Sequence, residues 1–304
     1  MRILLTGPTG YLGSTLAHYW VNQGHELCLL ARSSSKINRI QSLLSHVRLE
    51  RLSTTTDSIR IMSDFRPDSV VHTACVYGRS GESPLTVLDA NLRLGVALLQ
   101  AAMAREGEHT VFINTGTALT PDVNLYALSK NQFSQWGATL ASQQPKRLQF
   151  IDIQLQQMYG PGDDRSNFTT HVIEACRLGE DRLALTLGKQ RRDFIYIDDV
   201  VTAYDTILNH RSDLGISDAI ELGTGTTVSI REFVELVHGL TAATTMLDFG
   251  AVPYRPHEPM LCVANTARLS AMGWTPFIDL ESGITRILEA HPNSTSIPLE
   301  TNKK

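Results

Sequence analysis

Cysteine is scarce and scattered in this 304-residue chain. The four, Cys28, Cys75, Cys176 and Cys262, are widely separated and form no C-x-x-C pair. That pattern argues against a metal site and for free, buried thiols in a reducing compartment. Long apolar runs are missing as well. The opening MRILLTGPTGYLG is broken by glycine and proline within a few residues, too soon for a signal peptide or a membrane span. A cytoplasmic protein without membrane insertion is expected. Positive charge is also in short supply: the net charge is −4 and the only dense basic spot is Arg191-Arg192. No stripe of cations is available to follow a phosphate backbone, which excludes nucleic acid as a partner.

What is present is an ordinary globular composition, 42% hydrophobic and 19% charged, with length enough for a substantial core. The first half alternates short apolar runs with longer helical patterns. RILLTG, HELCLLAR, DSVVHTA, HTVFINTGT and LQFIDIQLQQMYG read as strands, separated by patterns such as YLGSTLAHYWVNQG and TVLDANLRLGVALLQAAMARE. Fully apolar strands between helices predict an α/β fold, a doubly wound parallel sheet of Rossmann type covered on both faces. After Tyr159 the texture shifts to loops rich in Gly, Pro and Asp around isolated helices. Residues 1–160 plus about 191–212 are expected to form the dinucleotide-binding domain. About 161–190 plus 213–304 would form a smaller lobe, and the tail 291–304 reads as a loose, solvated end.

Gly7, Gly10 and Gly13 of TGPTGYLG fall between the first strand and the first helix. There the first glycine permits the turn, the second lets backbone approach a pyrophosphate, and the third lets helix and strand pack closely. A glycine-rich turn without a ligand is the plainer alternative. A dinucleotide with a free ribose 2′-hydroxyl usually meets Asp or Glu at the end of the second strand. Here Ala31 is followed by Arg32, Ser33, Ser34, Ser35 and Lys36. Cations with hydroxyls suit a 2′-phosphate, so NADP(H) is favoured over NAD(H) unless Arg32 and Lys36 are simply solvated charges.

YALSK places Tyr126 and Lys130 one helical turn apart on one face, with Phe133 and Gly137 continuing the stripe. A phenol is a poor acid or base near neutrality; a neighbouring ammonium and an oxidised nicotinamide would lower its pKa. Thr115, just past the strand TVFIN, is placed to share a substrate oxygen with Tyr126, or else is a turn residue. Thr117 is a second hydroxyl close by.

Taken together, TGPTGYLG, VVHTA, NLRLGVALL, FINTGT, YALSK, MYGPGDD, GKQRRDFIYIDDVV, ELGTGTTVSI and PYRPHEP resemble an extended short-chain dehydrogenase/reductase of the NAD-dependent epimerase/dehydratase branch. The resemblance implies a Rossmann sheet with a C-terminal lobe that binds a nucleotide sugar, commonly in a homodimer. It implies a catalytic Thr115, Tyr126 and Lys130. It places the cofactor on Gly7, Gly10, Tyr11, Leu12, Gly13, Arg32, Ser33, Lys36, Ala74, Asn91, Tyr126 and Lys130. It assigns substrate contact to Thr117, Gln157, Asn167, Arg192 and Arg255, the two arginines clamping a diphosphate. The plainer account pairs Arg192 with Asp193 and Arg255 with Glu258.

Departures from the branch narrow the reaction. Its 4,6-dehydratases carry Asp-Glu where Gly116-Thr117 stand here, so dehydration of that type is not expected. Gln154 and Gln157 replace the usual Arg and Asn, and Asp57 is an uncertain stand-in for an adenine-side acid. The motifs are most similar to reductases of the CDP-abequose/CDP-paratose synthase type, which make deoxysugars for surface polysaccharides. The implied reaction is NADPH-dependent reduction of the C4 ketone of a nucleotide-linked 4-keto-deoxyhexose. A 4-epimerase with tightly bound NAD is the first alternative, and a non-enzymatic NADP-sensing regulator the second.

Overall fold

The computed structural model describes residues 1–52, 54 and 57–290; the tail 291–304 and three residues of the 53–56 stretch lie outside them. Seven strands form the central sheet: β1 (Arg2–Thr6), β2 (Glu26–Arg32), β3 (Arg48–Leu52), β4 (Ser69–His72), β5 (Thr110–Thr115), β6 (Leu148–Leu155) and, after four short strands, β11 (Ser217–Leu222). The short ones are β7 (Gln157–Tyr159), β8 (Arg182–Leu185), β9 (Arg191–Arg192) and β10 (Phe194–Tyr196), of which β7 pairs with β10. The order in the large sheet is β11-β6-β5-β4-β1-β2-β3, every pair parallel.

Two faces of apolar side chains explain why both sides are covered. Ile3, Leu5, Leu29 and Val71 enter one core, with α1 (Tyr11–Asn22) on that face. Leu4, Leu30, Val70, Phe112 and Phe150 enter the other, beneath α2 (Asp57–Phe65), α4 (Leu94–Met103) and α5 (Leu125–Gln143). The short α3 (Pro84–Leu88) leads into α4 through a π-helical turn, Asp89–Arg93. The run Pro84–Met103 is long and apolar enough by composition to cross a bilayer, yet its Leu98, Leu99, Ala101 and Ala102 are buried in the second core. The expected stripe under YALSK is real: Phe133 is buried, and a side chain at Gly137 would run into Phe150.

Winding outward from β1 in both directions opens a crevice where the strand order reverses, between the carboxyl ends of β1 and β4. The smaller lobe covers it. It comprises α6 (Phe168–Leu178), β12 (Val228–Ser229), α8 (Ile230–Thr241), β13 (Met246–Phe249), β14 (Leu261–Cys262), α9 (Ala267–Ala271) and α10 (Leu280–Ala290). The chain returns to the sheet with α7 (Ile197–Asn209), where Trp20 of α1 donates its indole N–H to Asp205 at 3.1 Å.

The return runs further than expected. β11 pairs along its length with β6, so the sheet-forming segment reaches Leu222 rather than ending near 212. An edge strand is buried on alternate residues only, and SDAIEL lacks the continuous apolar core that marks the inner strands.

Candidate active site

A cleft of about 1280 Å³ runs along the carboxyl edge of the sheet and under the lobe. Its first wall is the turn from β1 into α1. Gly7 has φ +67°, and a Cβ there would come within 2.8 Å of Ala74 N and Thr73 Oγ1. A Cβ at Gly13 would fall on the Gly7 carbonyl. Gly10 caps α1, leaving the first-turn N–H groups aimed into the cleft, which is what an anionic diphosphate requires. Tyr11, Leu12 and Ala74 line this wall. The Tyr11 hydroxyl is buried without a hydrogen-bond partner, and burial pushes its pKa upward.

At the end of β2, Arg32 and Ser35 line the cleft; Ser33 and Lys36 lie outside its lining. The Ser33 hydroxyl instead donates to the Leu52 carbonyl at 3.1 Å. Among the described residues Arg32 has no carboxylate partner. Arg51, on β3, donates to the carbonyls of Arg32 and Ser35, both at 3.0 Å, and so sets the shape of this turn. A second lining cation that the sequence reading missed, Arg39, donates to the Gly162 carbonyl at 2.6 Å and so bridges the two sides of the cleft.

Tyr126 and Lys130 both line the cleft from α5. Asn124 caps that helix, accepting from Ala127 N at 2.8 Å. Lys130 is buried, 1% exposed, and burial lowers its pKa. Burial, reinforced by Cys75 and Tyr77, pushes the Tyr126 phenol well above the ordinary range, against the lowering that a nearby ammonium was expected to produce. The phenol is therefore held protonated.

The two threonines have different partners. Thr115 Oγ1 is 2.7 Å from the hydroxyl of Tyr204, a buried residue of α7. Thr117 accepts from Leu119 N at 3.2 Å, and both threonines line the cleft together with Tyr126. Asn91, fully buried, does not line the cleft. It grips the loop after β4 through Val76 N and O, at 2.7 and 2.9 Å, and donates to Ser129 of α5 at 2.9 Å. That loop carries two residues the sequence reading overlooked. Tyr77 packs on Tyr126 with ring centroids 4.9 Å apart, and Arg79 lies 4.7 Å over Tyr77. Their one signal was position: they follow an inner strand at its carboxyl end.

Arg79 also donates to Asn167 Oδ1 at 2.9 Å, while the Asn167 amide is held by Asp163. Gln157 faces the cleft; Gln154 does not line it. At the far end Arg192 and Arg255 both pair with Glu258. Asp193 is not the partner of Arg192. It is buried and accepts from Thr224, Gly225 and Ala264 backbone N–H groups at 2.7–3.1 Å. Two guanidiniums, one from β9 and one from the loop between β13 and β14, thus converge on one carboxylate in the cleft. Among the described residues no cluster of three His, Cys, Asp or Glu is arranged to hold a metal.

A parallel sheet with a glycine cradle at its crevice and a Tyr-x-x-x-Lys pair facing it defines an NAD(P)-dependent oxidoreductase of the extended short-chain dehydrogenase/reductase type. The chain belongs to the NAD dependent epimerase/dehydratase family, whose model matches residues 3–223. Similar sequences include CDP-abequose synthase of Salmonella typhimurium, 29% identical over 94% of this chain and 97% of that protein. UDP-glucose 4-epimerase of Mycolicibacterium smegmatis is 24% identical over 97% and 100%. Among solved structures, UDP-glucose 4-epimerase of Thermotoga maritima superposes with a TM-score of 0.81 at 21% identity, covering 95% of this chain and 98% of that one.

Proposed function

We propose that this enzyme reduces the C4 ketone of a nucleotide-linked 4-keto-deoxyhexose, with NADPH as reductant. The observation that carries the reading is the Tyr126 phenol at the glycine cradle's cleft, one helical turn from the buried Lys130 and on the same lining as Thr115 and Thr117. The dinucleotide, when bound, supplies the hydride. Tyr126 gives its proton to the C4 oxygen as negative charge develops there. Thr117 offers that oxygen a second hydrogen bond, a role first expected of Thr115, which lines the same cleft but has its hydroxyl engaged with Tyr204. Lys130 places a positive charge behind the phenol and stabilises the phenolate left after transfer. Arg192 and Arg255 exchange Glu258 for the substrate diphosphate, while Gln157 and Asn167 contact the sugar side.

Preference for NADPH is supported by Arg32 and Arg39 at the ribose end, where the β2 terminus offers no acid. The 29% identical relative, named a CDP-abequose synthase, fits a nucleotide-sugar product; reduction and a place in surface-polysaccharide synthesis carry over from the resemblance of the motifs. The epimerase relative keeps the redox-neutral alternative in view. A homodimer fits the outer face of α3 and α5, where Leu85, Leu88, Leu125, Leu128 and Trp136 are all exposed. The deciding experiment mixes purified enzyme with NADPH or NADH and a panel of nucleoside-diphosphate 4-ketohexoses, following the reduced-nicotinamide absorbance. Consumption with NADPH is expected. No consumption with any of them, or interconversion of C4 epimers without added reductant, sinks the proposal.

A further inference from the structure

Asp152 is out of place by ordinary rules. It stands in the middle of β6, between the core residues Ile151 and Ile153, and is 7% exposed. A carboxylate there is costly unless its charge and hydrogen bonds are used. It does not line the cleft, so it touches no substrate.

Its contacts all lead to the groups that do line the cleft. Asn114, its register partner on β5, donates to Oδ1 at 2.6 Å. Ser134 donates to the same oxygen at 2.8 Å and stands one helical turn after Lys130, whose carbonyl it also contacts at 3.1 Å. Above the carboxylate lies Gly116: a Cβ at that position would be 2.7 Å from Oδ1 and 2.9 Å from Oδ2. The one residue therefore ties together β5, the turn of α5 that carries Lys130, and the loop between Thr115 and Thr117. The space beside Gly116, where a dehydratase of the branch would carry an acid, is filled by a carboxylate from the strand below.

The charge has a counterpart. Among the described residues Lys130 forms no ion pair within contact distance, although it is almost fully buried. The groups that face it are His72 from β4, Cys75 from the following loop, and Asp152. His72 is kept neutral by burial, its pKa lowered to about 3, and burial raises that of the Cys75 thiol. Asp152 is the one carboxylate in that shell. Burial raises the Asp152 pKa, opposed by the hydrogen bonds from Ser134 and Asn114 and by the charge of Lys130; the Tyr204 phenol faces it from α7.

We propose that Asp152 is the counter-charge and anchor of Lys130. From within the sheet it keeps the cleft ammonium charged and fixes the helix turn and the loop that present the proton-handling groups. It is a positioning residue. The inference rests on the reading of Tyr126 and Lys130 as the proton-handling pair only for its kinetic consequence; the electrostatic part stands without a substrate.

Its test is a titration of enzyme labelled at lysine 13Cε, with the Lys130 resonance assigned through Lys130→Arg. In the wild-type protein Lys130 is expected to remain charged at neutral pH. A resonance already in its neutral form at pH 7 overturns the proposal without any variant. In Asp152→Asn, which keeps an acceptor for Asn114 and Ser134, the Lys130 pKa should drop by about one unit or more. Ser134→Ala, which keeps the charge, should leave it nearly unmoved. An unshifted Lys130 in an Asp152→Asn protein with a cooperative melt overturns the proposal. With a CDP-linked 4-keto-dideoxyhexose and NADPH, the basic limb of the kcat profile should move to lower pH by the same amount. Absence of any reduction by the wild-type enzyme counts against the proposed function and leaves the titration result standing.

Discussion

Thr115 and Thr117 are two residues apart, and exchanging each for valine separates their roles. Valine keeps the shape and removes only the hydroxyl. In Thr117→Val a hydroxyl on the cleft wall disappears. If that hydroxyl supports the oxygen on which charge develops, the loss is that of a hydrogen bond to a charged group, about 1.5–3 kcal/mol. At about 1.4 kcal/mol per decade, kcat should fall about 10- to 100-fold. The fold should suffer little, because Thr117 is only half-buried. Thr115→Val does the reverse. It leaves the fully buried Tyr204 hydroxyl without its 2.7 Å partner, a cost of about 1–3 kcal/mol in stability. For a chain of this size that corresponds to a drop in Tm of a few degrees, about 2–4 °C per kcal/mol. Its kcat, measured well below the melt, should stay near wild type. The assay is steady-state reduction at saturating NADPH beside a thermal melt, with NADPH affinity from fluorescence titration expected to be unchanged in both variants. A crossed outcome, Thr115→Val slow and Thr117→Val active, would falsify the assignment of the hydroxyl role to Thr117.

Other perturbations address the remaining parts of the cleft. If the Arg32 guanidinium reads the 2′-phosphate as proposed, Arg32→Ala should raise the NADPH dissociation constant about tenfold or more while leaving NADH binding nearly as it was; equal weakening of both cofactors would remove the argument for NADPH. Arg192→Ala should weaken nucleoside-diphosphate binding by calorimetry about tenfold or more, and an unchanged affinity would mean that the Arg192–Glu258 pair is only structural. In Gly13→Ala the new methyl meets the Gly7 carbonyl, which is backbone and has nowhere to go. The cost should be about 1–3 kcal/mol of stability together with loss of dinucleotide binding, and a variant that binds NADPH normally would show that the cradle is not the phosphate site.

Much of this could be read from the chain itself because it depends on short-range periodicity. Continuous apolar strands between helices specify a parallel sheet covered on both faces. Three glycines between a strand and a helix specify a cradle, and a spacing of four puts Tyr126 and Lys130 on one helix face. β11 escaped because an edge strand needs to be apolar on only one side. What the sequence could not decide were contacts between residues far apart in the chain. The partner of Arg192 proved to be Glu258 rather than the adjacent Asp193, because Asp193 points into a nest of backbone N–H groups from Thr224 to Ala264. The direction of the Tyr126 shift was set by burial against Tyr77 and Cys75, not by the lysine four residues on.

Local spacing thus determined which residues are offered to the cleft: the cradle, the tyrosine, the lysine and two neighbouring threonines. The tertiary structure decided what each of them touches. Thr115 turns to Tyr204 of α7, Thr117 to the Leu119 N–H at the cleft wall, and a carboxylate from β6 stands under Gly116. Hydrogen bonds and charges act over a few ångströms of space regardless of separation along the chain, so these assignments exist only once the strands and helices have been brought together.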